Sequence, residues 1–228
     1  MTKNINLNEY NRNHEIRNFP NLEKELEEHY ELFVKDENAQ NKVSPRGHYE
    51  YKIGFKEIFY YISWLYDNNP QSVIDVGAGE CFWKRWFPNI TSLEPGGYAS
   101  GEYADLHMDF SKKFADEHIE EYDCGMAINS LHFGKLTEVE NNIVQAMRII
   151  KPGGRFLFTL STGMIESHYI TSKLAKAPPP RNLVDLTKEM IVRLPYKLVL
   201  FDCPYDRLGY EFPIQGHING TIRFILEK

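Results

Sequence analysis

The chain has 228 residues, 42% of them hydrophobic and 25% charged, with a net charge of −6. That size suits one domain of about 100–200 residues with a small appendage, and the composition excludes intrinsic disorder, a collagen-like fibre and a membrane bundle. The negative balance argues against a broad phosphate-binding surface, and so against a nucleic-acid partner.

Residues 1–20 are polar and Asn-rich, too polar for a secretory signal peptide, and read as a loose arm. Leu22–Lys35 reads as a helix: Leu22, Leu26, Tyr30 and Phe33 share one face, and acidic residues crowd its first turns. Residues 36–50 form a polar linker with a turn at Pro45–Gly47. Residues 54–66 form an aromatic-rich helix that stops at Asp67-Asn68-Asn69-Pro70. Residues 1–68 are thus an arm and helical cap, and 69–228 the main domain. No apolar run reaches the roughly 18–20 residues that span a bilayer.

From residue 71 strands and helices alternate. Ser72–Val76 is a β-branched strand, Glu80–Phe87 a helix, Ile90–Leu93 a strand and Tyr103–Met108 a weaker one. Asp116–Glu121 reads as helix, Tyr122–Ile128 as strand, and Thr137–Ile150 as an amphipathic helix stopped by Lys151-Pro152-Gly153-Gly154. Arg155–Leu160 (strand), Leu183–Leu194 (helix), Lys197–Phe201 (strand) and Thr221–Leu226 (strand) complete the chain. Such alternation implies βαβ units and a mostly parallel sheet with helices on both faces. The three cysteines, Cys81, Cys124 and Cys203, are far apart, and no histidine cluster has metal-ligand spacing. No disulfide scaffold and no metal site are expected, and a reducing, cytoplasmic setting fits.

The most informative segment is Val73-Ile74-Asp75-Val76-Gly77-Ala78-Gly79-Glu80-Cys81, a strand that runs into Gly-x-Gly and then a helix. Gly77 permits the tight turn, and Gly79 lets a ligand approach the backbone. The N-terminus of the following helix offers N–H groups and positive potential. Phe82 stands where a dinucleotide fingerprint needs glycine, and no lysine has the spacing of a P-loop. Glu94 ends the next strand, where an acid can accept both ribose hydroxyls of an adenosine.

Asp75, Gly77, Gly79 and Glu94 together resemble the first two motifs of the class I S-adenosylmethionine-dependent methyltransferases. Met108-Asp109-Phe110 is similar to the third motif, Tyr122–His132 to strand four and its loop, and Ala146–Arg155 to the family's Leu-Lys-Pro-Gly-Gly connection into strand five. The resemblance covers about residues 70–228. It implies a Rossmann-like, doubly wound, seven-stranded α/β sheet in the order 3-2-1-4-5-7-6. S-adenosylmethionine is the implied cofactor, with S-adenosylhomocysteine as product. Glu94 is then placed at the ribose and Asp109 with Phe110 at the adenine. Gly77, Ala78 and Gly79 lie beneath the methionine portion. Asp75 orients that loop or reaches the ammonium, which the Asn129 carbonyl also accepts. Cys81 replaces a third glycine of the family pattern and reads as a small packing residue.

His132 and His168 are the candidate general bases, needed only if the acceptor must lose a proton. Tyr49, Tyr51 and Arg181 are candidate acceptor contacts, with Arg46 and His48 nearby. Asp202-Cys203-Pro204-Tyr205 reads as a hairpin turn. The resemblance implies methyl transfer to an O or N atom of a small molecule. Transfer to RNA or protein, or cofactor binding without transfer, stay open. Residues 1–150 hold 15 Lys+Arg against 25 Asp+Glu, and residues 151–228 hold 11 against 7. The positive C-terminal third leaves room for an anionic acceptor.

Overall fold

The computed structural model describes residues 35, 61–62, 64–66, 69–85, 87, 89–96, 101–162, 165, 181–203 and 221–228. The arm, the first helix up to residue 34, the linker, the segment 166–180 and the candidates Tyr49, Tyr51 and His168 lie outside them, as does the Arg181 side chain.

Six strands form one sheet: β1 (Val73–Val76), β2 (Ile90–Leu93), β3 (Tyr122–Ile128), β4 (Ile150–Ser161), β5 (Lys197–Asp202) and β6 (Thr221–Glu227). Their order is β2-β1-β3-β4-β6-β5. The pairs β1–β2, β1–β3 and β3–β4 are parallel, while β6 runs antiparallel to both β4 and β5. The loops after β1, β2, β3, β4 and β5 therefore all leave at one end of the sheet. The expected strand at Tyr103–Met108 is a single parallel bridge, Leu93 to Leu106, so the described sheet has six strands rather than seven.

Alternation along the strands builds two cores. Phe156, Phe158 and Leu160 of β4 face α1 (Lys112–Glu117), α2 (Leu136–Arg148) and α3 (Arg181–Arg193), together with Phe224 of β6. The rings of Phe156, Phe158 and Phe224 stack at centroid spacings of 4.4 and 5.0 Å. On the other face Leu157, Leu200 and Ile225 pack against Tyr61, Ile62 and Leu65, which are helical as expected for 54–66. Each buried aromatic contributes about 1.5–3 kcal/mol relative to exposure.

The helices shift for local reasons. α1 starts earlier than Asp116 because the Ser111 side chain accepts the Phe114 N–H at 3.2 Å and caps it. It stops before Glu120, whose φ is +54°. The expected helix Glu80–Phe87 is only a 3-10 turn, Phe82–Arg85. Cys81 precedes it at φ +52°, a left-handed conformation that no α-helix can pass through. Without that helix the glycine loop has no helix dipole behind it. Among the described residues no helix is long and apolar enough to cross a membrane.

Four described cations of the C-terminal third lie away from the loop end, whereas Arg223 pairs with Asp202 at the carboxyl end of β5. Lys151–Asp123 (2.7 Å), Arg155–Glu227 (3.0 Å), Lys197–Glu227 (2.7 Å) and Lys228–Glu120 (3.2 Å) all lie toward the amino end of β4 and β5. These four cations answer neighbouring acids, while Lys173, Lys176, Arg207 and the Arg181 side chain lie outside the described residues.

Candidate active site

The glycine loop is built from both neighbours of β1. The N–H groups of Gly77 and Ala78 donate to the Leu93 carbonyl at 2.8 and 3.1 Å. Gly77 has φ +70°, and a Cβ there would run into Ser130 in the turn after β3. The Ser130 hydroxyl donates to the Val76 carbonyl at 2.5 Å, so the loops after β1 and β3 lock together. Gly79 has φ +51°, and a Cβ there would meet nothing within 4 Å. One glycine thus serves the packing of the loop, and the other opens a space.

Glu94 is the acid of this space. It is buried just past β2, and its Oε2 accepts the Gly79 N–H at 2.9 Å. Asp75, on β1, is also buried. Burial and the Glu94 charge push its carboxyl up to about 7, against the pull of Lys84. Between about pH 4 and about 7 the folded chain therefore holds a proton that the unfolded chain has released, so Asp75 makes stability fall as pH rises through that window. Asp75→Asn removes this slope. Urea unfolding of the ligand-free protein should show the variant gaining on the wild type from about pH 5 to about pH 8. A difference that is constant with pH counts against it.

Cys81 is buried, and burial pushes its thiol up to about 11, so it packs as a neutral thiol against Ala78 and Ala104. Its left-handed φ explains a preference for glycine there.

Asn129 also has a positive φ, +54°. Its N–H donates to Thr159 Oγ1 at 2.8 Å, and that hydroxyl donates to Asn129 Oδ1 at 3.0 Å. β4 thus fixes the turn after β3. His132 is buried in the same turn, where its Nδ1 accepts the Ser161 N–H at 3.1 Å. An occupied Nδ1 puts the proton of the neutral ring on Nε2. Phe133 packs edge-on against that ring at 4.6 Å and is itself half exposed. Asp109 is exposed and Phe110 half-buried, the latter tilted against Phe114 at 5.8 Å.

The structure therefore gathers Asp75, Gly77, Ala78, Gly79, Glu94, Asn129 and His132 at the loop end of the sheet, with Asp109 and Phe110 following the Leu93–Leu106 bridge. It adds two residues that the sequence does not mark. Lys84 is 1% exposed and meets Asp105 at 2.5 Å beside the glycine loop. Asp202 is the buried last residue of β5, and Pro204 and Tyr205 of the expected turn lie outside the described residues. Asp202 accepts from Tyr61 Oη at 2.5 Å and pairs with Arg223 at 3.4 Å. Among the described residues no group of three or more His, Cys, Asp or Glu could hold a metal ion.

No protein-family model and no curated protein matches the sequence. Solved structures do match. The N-methyltransferase NodS from Bradyrhizobium japonicum WM9, in complex with S-adenosyl-L-homocysteine, is similar over 84% of this chain and 97% of its own, with a TM-score of 0.51 and 12% identity. A 1,6-didemethyltoxoflavin-N1-methyltransferase from Burkholderia thailandensis matches over 73% of this chain and 75% of its own (TM-score 0.45, 12% identity). An O-methyltransferase family protein from the same organism matches over 74% of this chain (TM-score 0.40, 13% identity), and this chain spans only 55% of that one. At 12% identity the NodS likeness is one of fold. The chain thus has the Rossmann-like α/β fold that the N-methyltransferase NodS also adopts.

Proposed function

We propose that this chain is an S-adenosylmethionine-dependent methyltransferase acting on an O or N atom of a small molecule. The observation that carries the reading is the buried Glu94 carboxylate on the Gly79 N–H, at the carboxyl end of the sheet, where a Cβ on Gly79 would meet no described residue within 4 Å. An adenosylated ligand fits this donor set. One Glu94 oxygen is engaged by the loop and the carboxylate still has lone pairs for ribose hydroxyls.

When bound, S-adenosylmethionine supplies a methyl group already activated by a sulfonium charge. Glu94 holds the ribose, and Asp109 with Phe110 flanks the adenine. Gly79 keeps a side chain out of the space taken by the methionine portion, and Gly77 lets that loop pack against Ser130. Asp75, once ionised, favours the ligand's ammonium, as does the Asn129 carbonyl. Positioning and exclusion of water supply the acceleration. Of the two candidate bases, His132 is poorly set up to take a proton, because protonation of Nδ1 would cost its bond to Ser161. It acts as a fixed donor through Nε2–H. His132→Asn should therefore lower kcat by less than about tenfold, whereas loss of a true base costs about 10²–10⁴-fold. Steady-state rates with the identified acceptor decide between them.

The acceptor is tested by methyl-tritiated S-adenosylmethionine with a small-molecule extract, total RNA and total protein in parallel. Label in the small-molecule fraction alone supports the proposal. Label in RNA or protein replaces its acceptor, and label in none, with cofactor bound, leaves a binding protein without transfer.

A further inference from the structure

The sheet's outer edge is thinly built where the cofactor's nucleoside end would lie. Between Glu94 and Asp109 the described chain holds one 3-10 turn, Gly101–Tyr103, and one bridge, Leu93 to Leu106. What binds this segment to β2 is largely polar. Asp105 Oδ2 accepts from the Ser92 N–H at 2.8 Å and from the Ser92 hydroxyl at 3.1 Å. The N–H groups of Asp105 and Leu106 donate to the Ser92 carbonyl at 3.1 and 3.0 Å, and the Glu94 N–H donates to the Leu106 carbonyl at 3.0 Å.

The remaining partner comes from the other side of the site. Lys84 lies in the 3-10 turn that leaves the glycine loop, and its Nζ meets Asp105 Oδ2 at 2.5 Å. Lysine is almost never fully buried unless paired. Burial alone would raise the Asp105 carboxyl, yet Lys84 and Ser92 together hold it below its ordinary value. The pair joins residues 21 apart in two segments that lack regular structure. Glu94 stands on one side of it, and Asp109 and Phe110 follow Asp105 directly.

We propose that the buried Lys84 and the partly exposed Asp105 form an ionic clasp that positions the adenosine-binding wall, Glu94 with Asp109 and Phe110, against the glycine loop. The inference rests on the cofactor reading above, and both are positioning residues. The clasp has a second consequence, because the Lys84 ammonium also faces Asp75 and favours its ionised form. Among the described residues the other groups that face Asp75 are Glu94 past β2, Cys81 in the loop and Tyr66 in the helical stretch before β1.

The test is calorimetric titration of the full chain with S-adenosylhomocysteine and with 5′-methylthioadenosine, which lacks the amino-acid end. Wild type, Lys84→Met, Asp105→Asn and the double variant are compared. Each single variant should raise Kd for both ligands about tenfold, and the double should bind no more weakly than the weaker single, as one coupled pair requires. Lys84→Met should also move the pH midpoint of S-adenosylhomocysteine binding upward, whereas methylthioadenosine, with no ammonium, should show no such shift. A merely structural loss would treat the two ligands alike at every pH. Wild-type affinities in folded variants, or additive losses, overturn the clasp and leave the cofactor reading standing. If Lys84→Met does not fold, Asp105→Asn decides alone, being isosteric and partly exposed. A wild type that binds neither ligand removes the cofactor reading, and the clasp with it.

Discussion

Glu94→Ala should weaken S-adenosylhomocysteine binding at least about 100-fold while the protein stays folded. Hydrogen bonds to a charged group contribute roughly 1.5–3 kcal/mol each, and the ribose offers two hydroxyls. The site is buried, so water replaces those bonds poorly. The same substitution deprives the Gly79 N–H of its acceptor. Glu94→Gln separates the two effects. It keeps an oxygen for Gly79 but loses the charge at the ribose, and should cost about tenfold. Calorimetry measures both, with circular dichroism to confirm the fold. Affinity within about threefold of wild type for Glu94→Ala would remove this residue from the ribose.

Much of this site is legible along the chain, because it depends on local features. A β-branched run ending in Gly-x-Gly is a weak signal alone and gains force from the acid at the end of the next strand, which needs only the strand to be recognised. The strands Ile90–Leu93 and Tyr122–Ile128 stand where the residue pattern puts them. Other features depend on contacts across the fold. Tyr103–Met108 has strand-like residues, yet Asp105 turns to Lys84 and Ser92, and only Leu106 bridges β2. α2 ends at Arg148, short of the expected Ile150, and Lys151-Pro152-Gly153-Gly154 lies inside β4, which begins at Ile150, paired with Tyr122 ahead of an irregularity in the ladder. Gly153 then pairs with Lys228 from the far end of the chain. Ion pairs between distant segments have no period, so Lys84 and Asp202 leave no trace in a sequence pattern. The NodS likeness agrees with the fold that the motifs imply.

Asp202→Ala carries the largest expected loss of stability. The Asp202 carboxylate is buried between the Tyr61 hydroxyl at 2.5 Å and the Arg223 guanidinium at 3.4 Å. The guanidinium also lies 5.5 Å from the Tyr61 ring centroid. Burial and the adjacent carboxylate push the Tyr61 phenol upward, so it stays a donor at any ordinary pH. Removing the carboxylate takes the counter-charge from a buried cation, a change that costs about 3–5 kcal/mol. At roughly 2–4 °C per kcal/mol for a chain of this size, Tm should fall by about 10 °C. Tyr61→Phe, which removes one hydrogen bond and leaves the charges paired, should cost only about 1 kcal/mol. Thermal unfolding compares the two. An Asp202→Ala loss no greater than that of Tyr61→Phe would mean the buried pair contributes little. The arrangement also ties the N-terminal helix to β5 and β6, one strand from the Thr159 that holds Asn129. Its loss should therefore reach the site as well as the core.

The most direct test of cofactor binding at this site is a crystal structure of the chain soaked with S-adenosylhomocysteine. The expected result is the ribose hydroxyls on the Glu94 carboxylate, the adenine beside Phe110 and Asp109, and the amino-acid end over Gly77–Gly79 near Asp75 and Asn129. Ligand density elsewhere, or Glu94 still turned only to the Gly79 N–H with the ribose held by other residues, would contradict it.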